Sequence, residues 1–145
     1  MTLKVEKCTP QDVNDVAKME QAYIECYWSK QNILDALSSD GYTFYKAMDG
    51  DKFVGYGGVQ WCPPEGNICN VAVDENARRL GVGSAILNAI KNECKDRGVT
   101  QLFLEVNERN DGAIALYQAR GFEVIGKRPR YYGNDSAILM KSEIE

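Results

Sequence analysis

Apolar and polar residues alternate over residues 3–8, which predicts a β-strand. Thr9-Pro10 then opens a helix, with threonine as the N-cap and proline in the first turn, where its missing N–H leaves no bond unmade. Val13, Val16, Ala17, Met19 and Ala22 recur at helical spacing and carry that helix to about Cys26. Trp28-Ser29 marks a break, and Ser29 caps a shorter helix through Ile33, Leu34 and Leu37 that ends in the segment 38–41. Residues 42–48 and 52–61, rich in aromatic and β-branched side chains and joined by Asp49-Gly50-Asp51, predict two strands of a meander. Cys62-Pro63-Pro64-Glu65-Gly66 reads as a loop before a fourth strand over 67–73. Ile86, Leu87, Ile90 and Cys94 restore helical spacing from Ser84 to about Arg97, and Gly98 stops the helix. Residues 101–106 form a fifth strand, Asn110 caps a helix to Arg120, and Gly121 ends it. Residues 122–127 and 137–141 predict two closing strands around a basic, tyrosine-containing loop.

The resulting order is βααβββαβαββ, without repeats, low-complexity tracts or a linker. It predicts a single α/β domain over residues 1–145, a sandwich built on a mixed sheet rather than a uniformly alternating parallel one. A chain of 145 residues is long enough to bury a proper core.

The formal charge of −4 argues against a general nucleic-acid binder and suits a basic protein or peptide partner. The first residues carry no apolar leader-like segment, and no apolar run approaches the length of about 18 residues that a membrane span requires. A cytoplasmic location without membrane attachment is therefore expected, with the protein a monomer or weak oligomer. Five cysteines (Cys8, Cys26, Cys62, Cys69, Cys94) are odd in number, show no C-x-x-C pair and sit mostly in apolar segments. Buried free thiols are expected, not disulfides or a zinc site. The chain has no histidine, so it lacks the commonest general base and metal ligand; no metal is expected, and acid–base chemistry falls to Glu, Asp, Tyr, Cys, Lys or water.

Three segments carry candidate chemistry. Between the fourth strand and the following helix lies Arg78-Arg79-Leu80-Gly81-Val82-Gly83-Ser84. A glycine-rich helix start lets backbone N–H groups approach a ligand, and the helix dipole adds about half a positive charge there, so a phosphorylated small molecule is the expected ligand. A dinucleotide fingerprint beginning at Gly81 would need glycine where Ile86 stands, and a P-loop would need Gly-Lys-Ser/Thr, which is absent. The alternative, a simple tight turn, remains open at this point. In Leu102-Phe103-Leu104-Glu105-Val106 a carboxylate interrupts an apolar strand. An isolated buried carboxylate is costly and its pKa rises toward a general base's range, so Glu105 is either exposed or functional. Finally, Asn110 and Tyr117 are two helical turns apart and project on roughly the same side of their helix, although a tyrosine beside Ile114 and Leu116 also fits ordinary core packing.

Arg-Arg-x-Gly-x-Gly after Asn-Val-Ala-Val, then Leu-Glu-Val, then Asn-x-x-Ala-Ile-x-Leu-Tyr-x-x-x-Gly-Phe, in this order and spacing, resembles the GNAT superfamily of N-acetyltransferases. With Trp28-Ser29 and Arg130-Tyr131-Tyr132, the resemblance narrows to the branch that acetylates the N-terminal alanine of ribosomal protein S18. Tyr27 stands where proline is frequent in that branch. The resemblance implies a GNAT fold with a mixed central sheet of seven strands flanked by four helices, acetyl-CoA as co-substrate, and ribosomal protein S18 or another protein N-terminus as acceptor. It implies that Val71, Ala72 and Val73 bond the pantetheine arm through their backbone. Arg79, Leu80, Gly81, Val82, Gly83 and Ser84 would cradle the pyrophosphate, and Asn110 would also touch the cofactor. Glu105 matches the proton acceptor and Tyr117 the proton donor. Tyr131 and Tyr132 are candidates for the acceptor groove or ordinary surface residues.

The chemistry agrees with these roles. An amine must lose a proton before attacking a thioester, which a carboxylate can accept directly or through water. A phenol of pKa about 10 is not far mismatched to a leaving thiol of about 8.5, and an α-amine near 8 is easier to deprotonate than lysine near 10.4. Acetylation of a lysine or small amine, and a non-catalytic acyl-CoA-binding module, stand as the alternatives.

Overall fold

A computed structural model describes residues 2–24 and 27–144. Seven strands form one sheet: β1 (Leu3–Lys7), β2 (Tyr42–Asp49), β3 (Lys52–Cys62), β4 (Glu65–Val73), β5 (Gln101–Asn107), β6 (Glu123–Tyr132) and β7 (Asp135–Glu143). Their spatial order is β1-β2-β3-β4-β5-β7-β6, and every adjacent pair is antiparallel except β4 and β5. The helices are α1 (Val13–Tyr23), α2 (Lys30–Leu37), α3 (Val82–Asp96) and α4 (Asp111–Ala119), so the expected mixed sheet with helices on both sides is what the chain builds.

Strand alternation sorts the core into two layers. Phe44, Tyr56 and Ala72 meet Val16, Ala17 and Met19 of α1 and Ile33 and Ala36 of α2 on one face. On the other, Tyr45, Val59, Ile68, Leu102 and Leu104 meet Val82, Ile86, Leu87, Ile90 and Cys94 of α3 and Tyr117 of α4. Ile86, Leu87 and Ile90 are fully buried, each contributing about 1.5–3 kcal/mol by removal from water.

Several boundaries depart from the sequence reading. Pro10–Asp12 form a 3-10 turn ahead of α1, and Ile24 is already extended (φ −108, ψ 126), so α1 ends at Tyr23 instead of near Cys26, which lies outside the described residues. Glu65 and Gly66 belong to β4, because they pair with Gln101 and Leu102. The basic segment expected as a loop belongs to β6 and β7, which turn only at Gly133-Asn134. β6 lies at the sheet's edge, which leaves room for Pro129 without a lost ladder bond. Among the cysteines described, Cys94 is buried, Cys8 and Cys69 are half-buried, and all are free; Cys62 departs from expectation by being exposed.

The sheet opens in its middle. β4 and β5 pair only at Glu65↔Gln101, Gly66↔Leu102 and Asn67↔Phe103. Just beyond, Gly58 faces Asn70 and Val59 faces Ile68, so Cys69 is an extra residue that bulges β4. Thereafter β4 follows β3, while β5 stays paired with β7 along its whole length. The two halves of the sheet separate, and among the described residues the β4 backbone past Asn67 has no strand partner on the β5 side.

Candidate active site

The separation creates a cleft of about 920 Å3. Val71, Glu105, Asn110 and Tyr117 all line it, as do Asn70, Arg128, Tyr131 and Tyr132. The turn 79–84 and residues Ala72 and Val73 are not part of its wall: Ala72 packs into the α1/α2 layer and Val73 against the α3 layer.

The turn before α3 is shaped by backbone conformation. Arg79 has φ 65 and Gly81, the residue preceding the helix, has φ 82. The next N–H groups, from Val82 to Ser84, begin a helix of 15 residues and have no intrahelical acceptor, which suits an anion. Arg78 is committed elsewhere: its Nε donates to the Val73 carbonyl at 3.2 Å, and its guanidinium lies 5.0 Å over the Tyr23 ring. Arg79 pairs with no carboxylate among the described residues. The two glycines have different causes. A Cβ on Gly83 would stand 2.7 Å from Leu116 Cδ2, so that glycine serves the close contact of α3 with α4. A Cβ on Gly81 would meet nothing within 4 Å, so only its left-handed backbone demands glycine. Gly81→Ala is accordingly expected to cost about 1–2 kcal/mol, read as a modest fall in Tm without change in the folded far-UV spectrum.

β5 alternates cleanly. Leu102, Leu104 and Val106 are buried, and Phe103 and Glu105 are half-buried on the opposite face. The sequence leaves Glu105 either exposed or functional, and the structure adds a partner that the strand pattern does not show: Arg128 Nη2 lies 3.1 Å from its Oε1. Its Oε2 is buried and has no hydrogen-bond partner among the described residues. The Arg128 guanidinium also lies 5.1 Å over the Tyr131 ring, whose edge-to-face neighbour is Tyr132 at 5.0 Å. Arg128 was missed in the sequence because its segment reads as a loop; as a strand, its register opposite Ala137 would have aimed it across β7 toward β5.

On α4, Asn110 Oδ1 accepts from Ala113 N at 3.1 Å, confirming the N-cap and leaving the amide nitrogen uncommitted by that bond. Tyr117 is 6% exposed and meets the Phe122 ring edge-on at 5.7 Å. Burial pushes its hydroxyl well above the ordinary tyrosine range, with Tyr132 adding to the shift, so it keeps its proton at any working pH. Cys69 also lines the cleft, but burial, reinforced by Glu20, pushes its thiol up to about 12, which makes it a poor nucleophile.

The acetyltransferase (GNAT) family pattern matches residues 9–122. Uncharacterized protein ML0378 of Mycobacterium leprae is 34% identical over 145 residues, 94% of this chain, and the chain spans 40% of that relative's length. A ribosomal protein bS18-alanine N-acetyltransferase of Haemophilus ducreyi is 30% identical over 141 residues, covering 94% of this chain and 97% of that protein. The crystal structure of the ribosomal-protein-S18-alanine N-acetyltransferase from Escherichia coli superposes with a TM-score of 0.90 at 28% identity, over 99% of this chain and 95% of that one. Since the matched pattern runs from the turn before α1 to the end of α4 and the superposition takes in the closing strands as well, the chain belongs to the acetyltransferase (GNAT) family.

Proposed function

We propose that the chain transfers an acetyl group from acetyl-CoA to the N-terminal α-amine of a protein, with the N-terminal alanine of ribosomal protein S18 as acceptor. The observation that carries this reading is Glu105: one carboxylate oxygen is held by Arg128, and the other lies in the cleft wall without a hydrogen-bond partner among the described residues. That free oxygen can take a proton from an α-ammonium, directly or through water. Tyr117, kept protonated by burial on the same cleft, can return a proton to the departing sulfur. No cysteine occupies a position of the family motifs, and burial leaves Cys69 a poor nucleophile, so the transfer is direct, within a ternary complex.

The residues present fit the co-substrate. The β4 backbone at Val71, Ala72 and Val73, paired with β3 but not on its β5 side, can bond an extended amide-bearing arm, and residues 79–84 offer free N–H groups to its pyrophosphate. Asn110, on the cleft wall, keeps an amide nitrogen that its cap bond does not use. When bound, acetyl-CoA supplies the activated acetyl thioester. An α-amine, near pKa 8, asks less of Glu105 than lysine near 10.4.

Incubating the protein with acetyl-CoA and a peptide beginning Ala-Arg-Tyr should add one acetyl group at the α-amine, located by fragment mass spectrometry. Modification of side-chain amines alone would overturn the N-terminal assignment. Cofactor binding without any turnover would make the protein an acyl-CoA-binding module.

A further inference from the structure

Glu20 sits on α1 at 1% exposure, and the mechanism above does not use it. Its Oε1 accepts from Tyr56 OH at 2.6 Å and from Asn70 Nδ2 at 3.0 Å, and its Oε2 lies 3.4 Å from the Trp28 N–H. No lysine or arginine pairs with it among the described residues. Burial pushes its carboxyl up, and the bonds from Tyr56, Asn70 and Trp28 oppose the shift. All three neighbours are donors, so the arrangement fits the ionised form, which only accepts.

An acceptor-only partner fixes the amide of Asn70. Nδ2 must face Glu20, which leaves Oδ1 for the cleft that Asn70 lines and Glu20 does not. Strand register then sets what Oδ1 meets. The last β4–β5 pair is Asn67↔Phe103. Glu105 stands two residues beyond Phe103; Asn70 stands three beyond Asn67, but Cys69 is the bulge residue, so both occupy the second ladder position past the fork. Both also face away from the α3 layer: Glu105 alternates with buried Leu104 and Val106, and Asn70 is bonded to α1. They flank one opening from opposite strands.

We infer that Asn70 Oδ1 accepts a hydrogen bond from the acceptor's amine, holding it opposite Glu105, and that Glu20 is the positioning residue that turns the Asn70 carbonyl toward it. The inference rests on the reading of the cleft as the site of an amine acceptor. An amine nitrogen carries more than one N–H, so one can be held by Asn70 while another proton leaves toward Glu105 and the lone pair stays directed at the thioester. Tyr56 and Trp28 complete the Glu20 shell, tying α1, β3 and the α1–α2 connection to the same carboxylate.

The test is a double-mutant cycle on the full chain with acetyl-CoA and the Ala-Arg-Tyr peptide. Asn70→Ala should raise the acceptor KM about tenfold, the loss of one hydrogen bond to a charged or strongly polar donor, with the acetyl-CoA KM unchanged. Glu20→Gln, which can present a donor to Asn70 and release its orientation, should shift the same parameter, and the double variant should be no worse than Asn70→Ala. A merely structural role would lower Tm and leave the acceptor KM in place. An unchanged acceptor KM in folded Asn70→Ala overturns the binding role; multiplying effects in the double variant overturn Glu20's action through Asn70. If Glu20→Gln does not fold, Glu20→Asp, which keeps the charge but withdraws it from Asn70, replaces it in the cycle with the same two outcomes. Failure of the amine-acceptor reading is distinct, since the wild-type protein would then acetylate no peptide.

Discussion

Glu105→Gln is expected to lower kcat/KM for the acceptor peptide by about 10²–10⁴-fold at neutral pH, the range set by loss of a positioned proton acceptor. Glutamine preserves the shape of the side chain and can still offer a carbonyl oxygen to Arg128, 3.1 Å away in the parent protein. It cannot take a proton. The turn proposed for the cofactor's pyrophosphate lies outside the cleft wall that holds Glu105, so the affinity for acetyl-CoA should be unaltered when measured by calorimetry. A variant that binds cofactor normally and loses turnover supports the assignment. One that keeps the full rate removes Glu105 from the base role and returns the proton to water or to another group.

The largest effect on stability is expected at Glu93, on the inner side of α3. Its side chain is 7% exposed. It accepts from Thr43 Oγ1 at 2.9 Å, from the Tyr45 hydroxyl and from Arg97 Nε at 2.5 Å, with Lys7 Nζ 3.4 Å away. The cluster extends further: Trp61 Nε1 donates to Thr43 Oγ1 at 2.9 Å, and the Arg97 guanidinium lies 4.9 Å over the Trp61 ring. Glu93→Ala leaves these donors without their shared acceptor and should cost about 3–5 kcal/mol, as for removal of one partner from a buried charge pair. At this chain length that is a fall in Tm of roughly 10–20 °C. The pH dependence has a definite sign. Burial alone would push the Glu93 carboxyl up, but the bonds from Tyr45, Arg97 and Thr43 and the charge of Lys7 outweigh it, so the folded value lies below the ordinary 4.5. A carboxyl lowered by folding stabilises above its unfolded value and loses that contribution as pH falls through the folded one. The Tm gap between parent and variant should therefore be full at pH 7 and narrow below about 4.5. A gap within the range of ordinary surface substitutions, about 0.5 kcal/mol, would show that the cluster is not a keystone.

Where a segment is half-buried, its pattern was legible. The α3 positions Ile86, Leu87, Ile90 and Cys94 are all fully buried, and the caps expected at Ser29 and Asn110 accept from Asn32 N and Ala113 N at 3.1 Å each. The β6–β7 hairpin was not legible for the converse reason. β6 is an edge strand, exposed over nearly its whole length, so burial imposes no alternation, and Pro129 among basic residues reads as a loop. The same misreading hid Arg128, the cation nearest the candidate base. Gly83 shows a subtler limit: glycine beside a phosphate-type turn suggests close approach to a ligand, yet its neighbour is Leu116 of another helix.

The sequence by itself determined the elements, their order and the family motifs, because periodicity, caps and turn residues act between positions a few places apart. Spacing also put Asn110 and Tyr117 on one side of their helix, while the role of Glu105 followed only from the family resemblance. Only the tertiary structure decided that Glu105 meets Arg128 from two strands away, that Glu20 on α1 holds Asn70, 50 positions later, and that a bulge at Cys69 splits the sheet. Charge, desolvation and amide orientation depend on which groups come within a few ångströms after folding, and no local pattern along the chain encodes those distances.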